Sequence, residues 1–433
     1  MVLALVIFSI SIILMITLVI LQNTVKAVAN VRFPLFLIPL IIGAILFLSL
    51  GIAPLDIVKD SFISNSEVNP LKILVLFISM SFLSIYLDEM GFFSYLANWA
   101  VTKFKKGQIG LFIGLYVIVS LLTIFTSNDI VILTFTPFIC AFARRAKISP
   151  IPYLVMEFVA ANSFSMLFII GNPTNIYIAT FANIGFVEYL KVSWLPTILA
   201  GIGSFLVLFL IFLKDLKKPM ELSVEPIKVR RKVSLLVSLA VLLICVVFMA
   251  ISSYVHIEMY LISLGCFLFL LVFELFHMLY DRNIHIRLGR AFLRIPYQVI
   301  PLLISMFIMV IGLNASGLSS KVAEFLSQGN PIIMYGLFSS IFDNLMNNIP
   351  MSVFFADIAI LSPNVVQATF ASIIGSNLGA FITPIGALAG IMFLGLIKKE
   401  GIKFTFLDFC KYGIVVFLVA LPCALLGLFL VTI

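Results

Sequence analysis

Apolar runs of membrane-spanning length recur from one end of this 433-residue chain to the other, and they limit its fold more than any other feature. A bilayer core takes about 20 apolar residues of helix. Runs of that kind read at 1–22, 34–53, 70–87, 151–182, 194–213, 233–252, 259–280, 297–313, 365–397 and 409–431. Hydrophobic residues make up 63% of the chain and charged residues 11%, more apolar surface than a soluble core of this length can bury. A transmembrane barrel would show short alternating segments instead. The expectation is an all-α polytopic membrane protein in the cell (inner) membrane. Residues 1–22 carry no charge and no small-residue cleavage site, so they read as a first transmembrane helix rather than a cleaved signal.

Four segments do not fit simple spans. The runs 108–143 and 331–361 are polar at their midpoints, and each is expected to enter and leave the membrane on one side as a re-entrant hairpin. The runs 151–182 and 365–397 are too long and too polar at their centres, and each is expected to be a discontinuous helix. The basic residues support this layout. With the linker 214–232 taken as cytoplasmic, Lys103, Lys105, Lys106, Arg144, Arg145, Lys147, Arg282, Arg287, Arg290, Arg294, Lys398, Lys399 and Lys403 all fall inside, as the positive-inside rule requires. Both termini then lie outside. The net charge of +8 is explained in the same way, so nothing calls for a nucleic-acid partner.

The linker 214–232 divides the chain into an N-terminal repeat, 1–213, and a C-terminal repeat, 233–433. FISMSFLSIYLDEMGFF (77–93) matches LISMFIMVIGLNASGLS (303–319), with Asp88 opposite Asn314 and Gly91 opposite Gly317. ANSFSMLFIIGNPTN (161–175) matches SNLGAFITPIGALA (376–389), with Asn162 opposite Asn377 and Gly171 opposite Gly386. The first hairpin opens inside and the second outside in this layout. The halves therefore read as inverted-topology repeats, about ten spans plus two re-entrant hairpins, which is a transporter signature.

The polar centres are the candidate site. A carboxylate at bilayer depth costs at least ~2.5–3.5 kcal/mol, and non-helical backbone there must be buried in protein or line a wet cavity. The first hairpin places Ser127, Asn128 and Asp129 at such a point. The second places Asp343, Asn344, Asn347 and Asn348 there, with Pro350 as a helix breaker. IIGNPTNIYI (169–178) must unwind at Gly171 and Pro173, freeing Asn172, Thr174 and Asn175. FITPIGALAG (381–390) repeats the device with Thr383, Pro384 and Gly386. Unwound carbonyls can ligate a hard cation, and half-helix N-termini favour an anion. Taken singly, Ser127, Asn162, Ser163 or Asn377 reads equally well as interhelical glue.

Other titratable groups read less sharply. Asp88 and Glu89 read as a solvated helix end. Glu157 reads either as a relay carboxylate or as a partner of Arg144 or Arg145. The candidate coupling carboxylates are thus Asp129, Asp343 and Glu157. His256, His277 and His285 fall at loop edges, and the five cysteines lack metal or redox spacing, so no transition metal and no cofactor is expected; the oxygen ligands suit Na⁺, with the hairpin tips as its place, or a proton-linked water.

IYLDEMGFFSYLANW (85–99), FTSNDIVILTFTPF (125–138), MNNIPMSV (346–353) and NLGAFITPIGALAGIMFLGLI (377–397) together resemble the bacterial arsenite-efflux permeases of the ion transporter superfamily. The resemblance implies that hairpin tips and helix breaks carry the ligands: Ser127, Asn128, Asp129, Asn172, Thr174 and Asn175 in one half, and Asn347, Asn348, Asn377, Thr383 and Gly386 in the other. It also implies homodimeric assembly, as in sodium-coupled relatives, and for an arsenite pump a separate ATPase subunit, since this chain has no phosphate-binding Gly-Lys loop. Arsenite permeases tend to carry an aspartate where Asn162 and Asn377 stand, and a basic residue at Phe381. GNPTN (171–175) looks more like the wider anion and citrate branch. The expected function is a secondary active transporter for a small anion or oxyanion, arsenite-like or a di- or tricarboxylate such as citrate, coupled to Na⁺ or H⁺ by alternating access. A Na⁺/H⁺ antiporter is the alternative, a channel a remote one, and no catalytic set for a membrane-embedded enzyme is present.

Overall fold

The computed structural model of the chain describes residues 1–20, 24–26, 32–64, 69–103, 107–220, 232–278 and 284–433. Most of the linker 214–232, together with Lys105, Lys106 and Arg282, lies outside the described residues. The first half runs α1 (Val2–Ile20), β1 (Thr24–Lys26), β2 (Arg32–Pro34), α2 (Leu37–Ser49), α3 (Leu55–Ile63), α4 (Pro70–Glu89), α5 (Phe92–Lys103), α6 (Gln108–Phe125), α7 (Asn128–Arg145), α8 (Ile151–Phe164), α9 (Pro173–Phe181) and α10 (Phe186–Leu216). The second runs α11 (Lys232–Ala250), α12 (Ser252–Val255), α13 (Met259–His277), α14 (Ile284–Arg294), α15 (Val299–Ala315), α16 (Leu318–Leu326), α17 (Pro331–Met346), α18 (Asn348–Ala359), α19 (Val365–Leu378), α20 (Leu388–Lys399) and α21 (Phe406–Thr432). The strands form one short antiparallel ribbon, with Lys26 opposite Arg32. Seven helices among the described residues are long and apolar enough to cross a membrane, α4, α6, α10, α11, α13, α21 and the stretch holding α15.

Local signals set the helix limits. Asn69 caps α4 by accepting from Leu71 N at 2.8 Å, and Asn330 caps α17 by accepting from Ile332 N at 3.0 Å, each just before a proline at the first turn. Thr405 and Asp408 close a capping box on α21. Gly91 and Gly317, paired in the sequence comparison, take φ +87° and +76° at the matching joints α4/α5 and α15/α16. A side chain is strained at such φ values, which is why both joints use glycine.

The two polar-centred segments are hairpins. Tyr335 near the start of α17 donates to Ile358 O near the end of α18 at 3.3 Å. Gln108, the first residue of α6, accepts from Tyr153 OH at 3.1 Å, and Tyr153 lies just beyond the end of α7. The long helices α10 and α21 pack antiparallel: Phe212 meets Tyr412 at 5.1 Å, and a Cβ on Gly427 would sit 2.7 Å from Pro196 N. They provide a ruler. Gln108 Nε2 donates to Lys218 O at 2.9 Å, and Arg144 contacts Glu400 at 3.2 Å, both at the Tyr412 end. Gly336 faces Leu425, and Gln367 Nε2 donates to Thr432 Oγ1 at 3.2 Å, both at the other end.

Three sequence readings change. Residues 284–294 form a helix where a loop was expected, and α3 is a further helix between expected spans. Asp88 and Glu89 are not a solvated helix end: Arg294 reaches each at 2.7 Å, Arg290 reaches Glu89 at 3.4 Å, and Thr134 Oγ1 donates to Asp88 at 2.9 Å. Arginines spaced along α14 turn one face to the end of α4, an arrangement visible only once α14 is helical. Pro350 breaks nothing, because it sits in the first turn of α18, where no helical N–H is required.

Candidate functional site

The polar centre is assembled from four helix interruptions. At the first, α6 ends at Phe125, Thr126 and Ser127 are extended, and α7 starts at Asn128. Asn128 Oδ1 accepts from Asp129 N at 2.9 Å, and Asn128 Nδ2 donates to Asn162 Oδ1 on α8 at 2.9 Å. This ties the tip to the helix that breaks next. Asp129 stands in the first turn of α7, 7% exposed, with no ion-pair partner among the described residues.

At the second, α8 gives way after Phe164, a 3-10 turn covers Ile169–Gly171, and Asn172 caps α9, accepting from Thr174 N at 3.2 Å. Gly171 is required by contact: a Cβ there would run into the Ser165 carbonyl. The third is the tip between α17 and α18. Asn347 takes φ +74°, ψ 154°, a region that is almost glycine-only and costs about 1–3 kcal/mol. Two bonds to the fourth interruption hold it: Asn347 Nδ2 donates to Ile385 O at 2.8 Å, and Asn348 N to Gly386 O at 2.9 Å. At that fourth break, between α19 and α20, Thr383 Oγ1 donates to Asn344 Oδ1 at 2.6 Å, while Asn344 Nδ2 donates to Gly379 O at 2.8 Å. Gly386 sits in tight quarters, since a Cβ there would lie 3.0 Å from Asn344 Oδ1.

Asn377, fully buried on α19, joins the halves. Its Oδ1 accepts from Ser165 Oγ at 2.8 Å and from Asn172 Nδ2 at 2.9 Å, and its Nδ2 donates to Asn175 Oδ1 at 2.7 Å. Ser165 Oγ is also within 2.9 Å of Asn162 O. A polar chain therefore runs from Asn128 through Asn162, Ser165 and Asn377 to Asn172 and Asn175 at the first break, while Asn344, Thr383 and Asn347 form a second network at the break after α19.

The residues expected from sequence mostly meet here. Ser127, Asn128, Asn172, Asn175 and Asn377 lie along the first network and Asn347, Asn348, Thr383 and Gly386 along the second, and Thr174 sits in the first turn of α9 with its buried Oγ1 unpartnered among the described residues. Asp343 is fully buried on α17 beside Gly379, and among the described residues neither of its carboxylate oxygens has a hydrogen-bond partner; the same holds for Asn347 Oδ1, Asn348 Oδ1 and Ser376 Oγ. Glu157 stands apart. It pairs with neither Arg144 nor Arg145 but accepts from Thr136 Oγ1 at 3.1 Å in a fully buried setting, while Arg144 pairs with Glu400. Sequence reasoning missed Ser165, Gly379 and Ser376 as parts of the site. All three lie inside or beside the repeated motif, but small residues carry no signal until their neighbours are known. It also missed Glu274, fully buried on α13 with Ser234 and His277 around it.

The family model for citrate transporters (CitMHS) matches residues 1–368. The chain belongs to the citrate transporter family. It is a multi-pass membrane transporter, not an enzyme. It is 26% identical over 375 residues to an arsenical pump membrane protein of Escherichia coli, covering 81% of this chain and 84% of that one. It is 24% identical over 391 residues to an uncharacterized transporter of Mycobacterium tuberculosis, covering 86% and 89%. Among solved structures it resembles the YdaH transporter of Alcanivorax borkumensis, with a TM-score of 0.57 over 100% of this chain and 98% of that chain at 13% identity, a likeness of fold.

Proposed function

We propose that this family member is a secondary active transporter that moves a small anion, a di- or tricarboxylate such as citrate or an arsenite-like oxyanion, coupled to Na⁺ or H⁺ by alternating access. The observation that carries the proposal is the burial of polar networks at all four interruptions, one joining the first tip and first break to α19 through Asn377 and the other joining the second tip to the second break. The N-termini of α7, α9, α18 and α20 all begin at these interruptions. Their partial positive charge suits an anion, and the unpartnered oxygens at the second tip suit a cation. Neutral Asn162 and Asn377 favour the anion reading, since a carboxylate at either place would repel a carboxylate substrate.

In this reading the two halves are inverted copies in the cell membrane with both termini outside. The hairpins that open toward opposite ends of α21 support the inversion. Cysteines introduced at Lys105 and Arg145 are expected to label from the same side; labelling from opposite sides would remove the first hairpin. The functional test is flux in proteoliposomes under imposed Na⁺ or pH gradients, with citrate, C4-dicarboxylates, sulfate and arsenite as substrates. Gradient-driven uptake of a carboxylate is expected, and Asp129→Asn is expected to abolish it in a chain that still folds. Exchange of H⁺ for Na⁺ with no anion present would instead select the antiporter reading.

A further inference from the structure

Glu157 stands midway along α8 and is fully buried. Its one side-chain partner among the described residues is Thr136 of α7, whose single hydroxyl lies 3.1 and 3.2 Å from the two carboxylate oxygens. Of the helices packed against α8, α6 and α19 carry no charged residue. Asp129, Arg144 and Arg145 of α7, Glu188, Lys191, Lys214 and Asp215 of α10, and Asp408 and Lys411 of α21 exert no resolved effect on it. Tyr116 of α6 and Tyr189 of α10 donate elsewhere, to Gly201 O and Met166 O. Cys140, one turn along α7 from Thr136, is the titratable neighbour, within reach of the charges of Glu157, Arg144 and Glu400.

One hydroxyl proton shared between two oxygens does not match an anion. Ionised, Glu157 would be an unpaired charge inside the membrane protein, which is strongly disfavoured; the neutral acid fits the site. A hard metal cation does not fit, because it takes about six oxygens and Thr136 Oγ1 is the one side-chain oxygen beside the carboxylate. The second tip differs, since Asn347 and Asn348 offer further unpartnered oxygens there. Thr136, Cys140 and Arg144 recur every four residues and so share a face of α7. That face leads from buried Glu157 to Arg144, whose side chain is 65% exposed and paired with Glu400. In the other direction α8 leads to Asn162, bonded to Asn128 at the first tip. We propose that Glu157 carries the coupling proton of this transporter at a site separate from the hairpin tips, reached along the Cys140 face of α7; this rests on the secondary-transport reading above. The O–H bond forms on a carboxylate oxygen with a proton from water and breaks with return of that proton to water, and no electron moves.

The test uses the purified full chain in two ways. Infrared difference spectra between wild type and Glu157→Gln at neutral pH are expected to show a protonated-carboxyl C=O band that wild type alone has and that shifts in D₂O. In proteoliposomes, the substrate is whichever of citrate, a C4-dicarboxylate, sulfate or arsenite wild type takes up. Glu157→Gln is expected to lose uptake driven by a pH gradient at least tenfold, while exchange of the same anion at equal concentrations on both sides stays within threefold. Glutamine mimics the protonated acid, so only release of the proton is lost. Absence of the band, retained uptake, or an equal loss of exchange, which would mean a structural role, each overturns the proposal. Thr136→Val removes the one side-chain partner and is expected to move the pH of half-maximal uptake by about half a pH unit or more. An unmoved profile overturns the proposal, and this variant decides alone should Glu157→Gln fail to fold. Uptake driven by Na⁺ and indifferent to pH overturns this inference and leaves the proposed function standing, whereas a wild type that moves none of the four anions overturns both.

Discussion

The two hairpin tips do the same topological job with different chemistry. At the first, the backbone is relaxed: Thr126 and Ser127 are extended at negative φ, and the amide oxygens of Asn128 and Asn162 are both occupied. At the second, Asn347 is strained at φ +74°, and the side-chain oxygens of Asp343, Asn347 and Asn348 are buried without partners among the described residues. An unmatched buried acceptor is costly, and strain of this kind persists where the surroundings over-determine it. We propose on this contrast that the first tip acts as a braced joint and the second as the place where a cation supplies the missing partner. Asp129 and Asp343 differ in the same sense, one in the first turn of α7 and slightly exposed, the other within α17 and fully enclosed beside Gly379.

This contrast can be broken by experiment, beginning with the residue that joins the two halves. Asn377→Leu strands Ser165, Asn172 and Asn175 together; it is expected to destabilise the chain by on the order of 3 kcal/mol and to silence transport, measured by thermal unfolding in detergent and by flux. Wild-type flux in that variant would show that the halves need no central link. Next, Asp343→Asn is expected to raise the cation concentration for half-maximal flux at least tenfold, while Asn128→Ala changes it less than threefold. Equal shifts would erase the distinction between the tips. Asn347→Gly separates strain from ligation: the backbone relaxes, so the unfolding midpoint should rise or hold, while cation dependence should weaken several-fold because Oδ1 is gone. A falling midpoint would mean that the bond to Ile385 outweighs the strain. The smallest effect is expected for Thr383→Val, which leaves Asn344 Oδ1 without its donor at about 1 kcal/mol and should reduce flux only a few-fold.

Much of the second tip was legible as residues, and little of it as geometry. The run FDNLMNNIP announces a polar centre in an apolar segment, and its amides and carboxylate stand at the expected depth. Which oxygens stay unpartnered depends on where Ile385, Gly386 and Gly379 lie, and those come from another helix pair about 40 residues on in sequence. Glu157 shows the same limit. Its sequence position allowed either a relay carboxylate or an ion pair with Arg144 or Arg145; the structure removes the pair with Arg144, which points to Glu400, and Glu157 faces Thr136 across α7 and α8. Asp88 and Glu89 were misread because their partners sit on α14, about 200 residues away.

The sequence by itself determined the solvent, the element type and the interruption points. Spanning runs demand backbone hydrogen bonds closed within each helix, and Gly171, Pro173, Pro384 and Gly386 mark where those bonds cannot close. Only the tertiary structure decided which interruption satisfies which. The choice of Asn377 as the residue that closes the first break, and of Asn344 as the one that closes the second, rests on hydrogen bonds between segments far apart in the chain. Their short range makes them blind to sequence order and sensitive to tenths of an ångström in packing.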